Sequence, residues 1–110
     1  MSWTLLLFGE APLLAEAQSG RQLRGMGSPA EVRERIDAEL RGGVGWYKDG
    51  WGQYGDDRCL LEFYVPESED PVVCVMIHVS GMGAVETLSK LAQHNGWWLV
   101  DDSLTPMPGS

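Results

Sequence analysis

Two stretches near the middle of the chain limit its fold more than any other feature. Cys59, Leu61, Phe63 and Val65 alternate with Arg58, Leu60, Glu62 and Tyr64; after an acidic loop at 66–71, residues 72–79 are almost wholly apolar. Alternation with a period of two marks a strand with one buried face, and an unbroken apolar run suits a central strand. A register slip of one residue would turn a whole set of side chains to the wrong side. Packing therefore predicts that Cys59, Leu61, Phe63 and Val65 share a face with Val73, Val75, Ile77 and Val79, under the helices. The opposite face then holds Leu60, Glu62, Tyr64, Cys74, Met76 and His78. Trp97 or Trp98, but not both, joins it from the last strand, because neighbours on a strand point opposite ways.

The flanking segments supply those helices. Ser28-Pro29-Ala30-Glu31 offers an N-cap hydroxyl, a proline at the first helical position and a capping-box glutamate. Val32, Ile36 and Leu40 follow at four-residue spacing, with Arg33–Asp37 and Asp37–Arg41 as charge pairs on the wet side, and Gly42-Gly43 ends the helix. A second helix follows Gly81-Met82-Gly83, carries Val85, Leu88, Leu91 and Ala92 on one side, and stops at Asn95-Gly96. Residues 3–8 form a first strand, 44–47 and 51–54 a hairpin about Lys48-Asp49-Gly50, and 97–100 a last strand. Segment 11–24 mixes signals: Pro12 opens a helix that Leu13, Ala17 and Leu23 would line, and Gly20 weakens it. The order predicts a single α+β domain over 1–104 with a loose tail at 105–110. Its sheet is mostly antiparallel with two helices on one face, in a ferredoxin-like arrangement with an inserted hairpin.

Charge narrows the function classes. Sixteen acidic residues against eight basic ones give a net charge of −8. Nucleic-acid binding needs a basic stripe, and anionic membranes repel such a chain, so neither partner is expected. A basic protein or a cationic ligand is what this field attracts. No stretch approaches the about 18 apolar residues that span a membrane. The apolar run at 3–8 has no Lys or Arg before it and reads as a strand rather than a leader, although Ala15-Glu16-Ala17 mimics a cleavage site. Two cysteines, both in strand-like runs, suit buried thiols in a reducing cytoplasm.

Catalytic and cofactor signatures are weak. Cys59 and Cys74 should face opposite sides of the sheet and make no zinc spacing with His78 and His94. Cys74 and His78 stand roughly 13 Å apart along one strand, too far for direct proton transfer. Glu62 beside His78 is more often a satisfied polar pair than a general base. Gly81-Met82-Gly83 lacks the remaining residues of a dinucleotide or P-loop fingerprint, so a tight strand-to-helix connection explains it better. No cofactor, metal or catalytic role is expected. What stands out is the hairpin, where Trp46, Tyr47, Trp51 and Tyr54 lie among glycines with Asp49, Asp56 and Asp57. With Glu62, Tyr64, Glu67, Glu69 and Asp70 these form the expected partner-binding set: rings to anchor, carboxylates to match a basic surface. The plainer alternative has the tryptophans filling the core edge and the acids solvated in turns.

From Leu61 to Asp101 the chain resembles a loose group of small bacterial proteins. The shared pattern is an apolar strand at 72–79, Gly81-Met82-Gly83, a helix through Leu88 to Ala92, then Asn95-Gly96-Trp97 and an apolar strand ending in Asp101. The Leu-Phe-Gly start and the Trp-rich hairpin are similar too. Such proteins look like the immunity proteins that neutralise secreted interbacterial toxins by covering the toxin's active site. The resemblance implies a cytoplasmic inhibitor of a cognate toxin domain and no catalytic residues. Two other functions fit the same residues: a small ligand-binding or enzymatic domain using Glu62, Tyr64 and His78, or a homodimer that buries the open sheet face. The plainest alternative is that segment 11–24 covers that face.

Overall fold

The computed structural model describes residues 2–9, 24–40 and 43–101. In chain order the elements are β1 (Ser2–Phe8), α1 (Pro29–Glu39), β2 (Gly45–Lys48), β3 (Trp51–Gly55), β4 (Leu60–Tyr64), β5 (Cys74–Ser80), α2 (Ala84–Asn95) and β6 (Trp98–Asp101). The strands form one six-stranded sheet in the order β2-β3-β4-β5-β1-β6, and every neighbouring pair is antiparallel. The fold is α+β. β1 lies between β5 and β6, the two strands that α2 connects. The expectations for 11–23 and for the tail at 105–110 lie outside the described residues.

Local chemistry accounts for the helix ends. Ser28 caps α1: its hydroxyl accepts from Glu31 N at 3.2 Å, and the Glu31 carboxylate accepts from Ser28 N at 3.1 Å. Two backbone donors that a helix start would otherwise leave unpaired are thereby satisfied. Gly96, at φ 68°, ends α2 in the left-handed conformation that favours glycine. At the β2–β3 turn Asp49 and Gly50 both have positive φ, 45° and 86°, as a two-residue hairpin with the sheet's twist requires.

The register brings Leu61 opposite Val79 and Phe63 opposite Ile77, as the coincidence of apolar faces demands. Leu5, Leu7, Leu61, Phe63, Val75, Ile77 and Leu99 are buried there in one core with Val32 and Ile36 of α1 and Leu88, Leu91 and Ala92 of α2. Val73 departs from the expectation. It precedes β5 and is only half-buried, while Val72 is fully buried and pairs with the segment before α1, through Met26 N to Val72 O at 2.7 Å and Val72 N to Gly27 O at 2.8 Å. The charge pairs expected along α1 also differ. Arg33 reaches Glu67 at 3.4 Å, and Asp37 Oδ1 accepts from Val44 N at 2.8 Å and from the Trp46 indole N–H at 3.1 Å. Arg41 lies outside the described residues. Asp37 therefore ties the helix to the start of β2, because a carboxylate gains from two charge-assisted bonds with partly buried N–H donors.

Candidate functional site: the second face of the sheet

Paired residues of an antiparallel ladder point to the same side, so the register lays the face away from the core out in transverse rows. A polar row runs Gln53, Glu62, His78, Thr4 across β3, β4, β5 and β1. Beside it lies an aromatic and apolar row of Trp51, Tyr64, Met76 and Leu6. On the other side stand Gly55, Leu60 and Ser80. Trp98 joins the same face opposite Phe8 and is 37% exposed, whereas Trp97 is buried in the core. Leu60 is 62% and Tyr47 51% exposed; Gln53 and His78 are exposed, and Trp51, Glu62, Tyr64 and Met76 are half-buried.

Short contacts organise the polar row. The Tyr47 hydroxyl donates to Glu62 Oε2 at 2.8 Å, and Gln53 Nε2 reaches the same oxygen at 3.5 Å. The hydrogen bond to Glu62, helped by desolvation and by the carboxylate's charge, pushes the Tyr47 phenol above the ordinary tyrosine range. Thr4 Oγ1 and His78 Nδ1 lie 3.2 Å apart. Trp51 leans on Tyr64 with ring centroids 4.8 Å apart, and its ring is parallel to that of His78 at 6.2 Å and 4°. Offset stacking of this kind fixes ring positions at little entropic cost. An open groove of about 580 Å³ runs along the row, lined chiefly by Gln53, Gly55, Leu60, Glu62, His78 and Ser80.

Of the residues expected to bind a partner, the structure brings Tyr47, Trp51, Glu62 and Tyr64 together here. The others lie elsewhere. Trp46 and Tyr54 point to the core side and pack against it; Trp46 is 6.3 Å from Phe63, ring centroid to centroid. Asp49 sits in the β2–β3 turn next to the loop that carries Glu67, Glu69 and Asp70, since Val65 N donates to Gly50 O at 2.9 Å. Asp56 and Asp57 occupy the β3–β4 turn at the opposite end of the sheet, one strand length away, roughly 17 Å. Asp56 is engaged locally. Its Oδ1 accepts from Arg58 N at 2.7 Å and Cys59 N at 3.0 Å, and these bonds hold its carboxyl below the usual range. Glu67 takes Arg33, and Asp57, Glu69 and Asp70 are exposed.

Gln53 and Thr4 were not singled out from the sequence. The β3–β4 register would have found Gln53, because Trp51 opposite Tyr64 forces Gln53 opposite Glu62. Thr4 needed the knowledge that β1 lies beside β5. Cys59 is buried in the core, while Cys74 pairs with Phe8 on the second face; burial, reinforced by Glu69, pushes the Cys74 thiol up to about 11. The glycines before α2 have a packing reason, since a Cβ at Gly81 would lie 2.5 Å from the Arg58 carbonyl oxygen. Among the described residues no group of three His, Cys, Asp or Glu side chains is placed to hold a metal ion, and no helix is long and apolar enough to cross a membrane. No family model matches the chain, and comparison with curated proteins and with solved structures returns no match.

Proposed function

We propose that the protein is an immunity-type inhibitor that docks onto a basic toxin domain in the cytoplasm through its second sheet face. The observation that carries this reading is the half-exposed aromatic cluster of Trp51 and Tyr64 beside Glu62 and Tyr47, on a face that none of the described helices covers. Tyrosine and tryptophan are enriched at interface centres because they supply large, stiff contact area together with a polar tip. The net charge of −8 favours a basic partner and speeds encounter with it. The acids at the two ends of the sheet frame the face from opposite sides. They act as rim charges, whereas the rings would carry the contact energy.

The test is association of the purified chain with the polypeptide encoded by the neighbouring reading frame, measured by biolayer interferometry at low and high salt. Binding is expected to weaken with salt, and Trp51→Ala or Tyr64→Ala to weaken it by about thirtyfold, the scale of a central anchor. Absence of binding at low salt, or full affinity in both variants, would overturn the proposal. A second reading has one observation in its favour. At about 580 Å³ the groove falls within the size range of small-molecule sites, so a small polar ligand would fit along the row of Gln53, Glu62 and His78.

A further inference from the structure

We infer that the groove beside Glu62 is a guanidinium site: it receives an arginine side chain of the docked protein, with Glu62 Oε1 as the acceptor and Gln53, Leu60 and His78 as the walls. The inference rests on the docking reading above and identifies the chemical group that reading must place at the centre. Glu62 is the one carboxylate in the rows of this face among the described residues. Both of its hydrogen bonds, from Tyr47 and from Gln53, arrive at Oε2. Oε1 receives none from the described residues, so the carboxylate is oriented on one side and open on the other. A half-buried carboxylate held in this way is an acceptor prepared for a charge-assisted bond, which strengthens once a partner excludes water.

Two features favour a guanidinium over an ammonium. The polar row offers several acceptors along a line rather than a compact cage. Gln53 donates through Nε2, which leaves its amide oxygen, and His78 adds Nε2 as an acceptor in the tautomer whose Nδ1–H donates to Thr4 Oγ1. A planar fork of five donors suits such a line better than three donors on a point charge. The neighbouring row borders the groove on its polar side and presents the Trp51 ring, leaning on Tyr64 and parallel to His78 at 6.2 Å. An indole edge of this kind favours a weakly hydrated planar cation over a strongly hydrated one. On the side away from Trp51 the groove is bordered by Gly55, Leu60 and Ser80, of which only Leu60 carries a large side chain.

The experiment titrates the full chain, ¹⁵N-labelled, with N-acetyl-arginine amide, N-acetyl-lysine amide and the neutral isostere N-acetyl-citrulline amide. Saturable NMR shifts are expected at the Gln53 side-chain amide, the Trp51 indole N–H and His78. Arginine should bind more tightly than lysine, and citrulline should give no saturable shift. Glu62→Gln keeps the shape and should weaken arginine binding by at least about tenfold, while Glu34→Gln, exposed on α1, should leave it unchanged. Equal shifts from citrulline, shifts confined to the loop of Glu67, Glu69 and Asp70, or full affinity in Glu62→Gln would each overturn the inference. The citrulline comparison uses the unaltered protein, so it holds even if the variant folds poorly. The two readings fail separately. Arginine binding without a protein partner sinks the docking reading alone, and docking unaffected by Glu62→Gln sinks the guanidinium site alone.

Discussion

Replacing Asp37 by alanine tests whether the hairpin that carries Tyr47 is anchored as described. Asp37 Oδ1 accepts from Val44 N and from the Trp46 indole, both half-shielded from water. A hydrogen bond to a charged acceptor contributes about 1.5 kcal/mol at the low end of its range, the relevant end for partly buried donors, so the pair is worth roughly 3 kcal/mol. Against this, alanine is the better residue inside a helix, by about 0.5 kcal/mol. The net loss is about 2.5 kcal/mol. With an unfolding entropy of roughly 0.23 kcal/mol/K for a chain of this length, Tm should fall by about 10 °C in a far-UV circular dichroism melt. Asp37→Asn retains an acceptor oxygen without the charge and should lose about half as much. A fall below about 3 °C for Asp37→Ala would refute the reasoning, since the two hydrogen bonds together would then be worth about 1.2 kcal/mol at most, less than half the value assigned to them.

Three further outcomes concern Tyr47 and the turn that follows it. Glu62→Gln should lower the Tyr47 pKa toward the ordinary tyrosine value in a spectrophotometric titration of the phenols; an unchanged titration would remove Glu62 as the cause of the shift. Because the folded value lies above the unfolded one, the contact stabilises fully below the ordinary tyrosine range and is lost as pH rises through Tyr47's own value. The stability gap between wild type and Tyr47→Phe should therefore close only in alkali. Gly50→Ala should lower the urea midpoint by an amount corresponding to 3 kcal/mol on the order of magnitude, because φ is +86° and the added carbon would meet the Val65 carbonyl oxygen at 1.9 Å; an unchanged midpoint would contradict the turn.

The parts of the fold that were legible in the sequence are those set by local or periodic rules. The capping box of Ser28 and Glu31, the Asp49-Gly50 turn and the Gly96 stop each depend on a few neighbouring residues, and the register of β4 on β5 follows from two apolar patterns that must coincide. That only one of Trp97 and Trp98 joins the second face follows from strand alternation, while the pairing of Phe8 with Trp98 decides which one it is. Other features depend on strand order, which no local pattern encodes. Asp37 looks like a surface charge until β2 is known to start beside it. Trp46 and Tyr47 are neighbours in sequence, yet one turns to the core and the other to Glu62, across an irregularity in the β2–β3 register. The acids, too, are close in sequence and apart in space. A five-residue strand is enough to carry Asp49 and Asp56 to opposite ends of the sheet.

That separation changes how charge can act. At physiological salt the screening length is about 8 Å, so the two acidic ends, roughly 17 Å apart, do not form one patch and cannot cooperate at close range. What remains common to them is the long-range negative field, which affects the rate of encounter more than the lifetime of a complex. The central contacts, Trp51, Tyr64 and Glu62, would act on lifetime instead, because they become desolvated only once docking is complete. Neutralising Asp57, Glu69 and Asp70 should therefore slow association and flatten its salt dependence while leaving dissociation unchanged. Trp51→Ala should do the reverse. If rim and centre variants altered the same rate constant, this division of labour would be wrong, and a second copy of the chain or a small ligand would be the better occupant of the face.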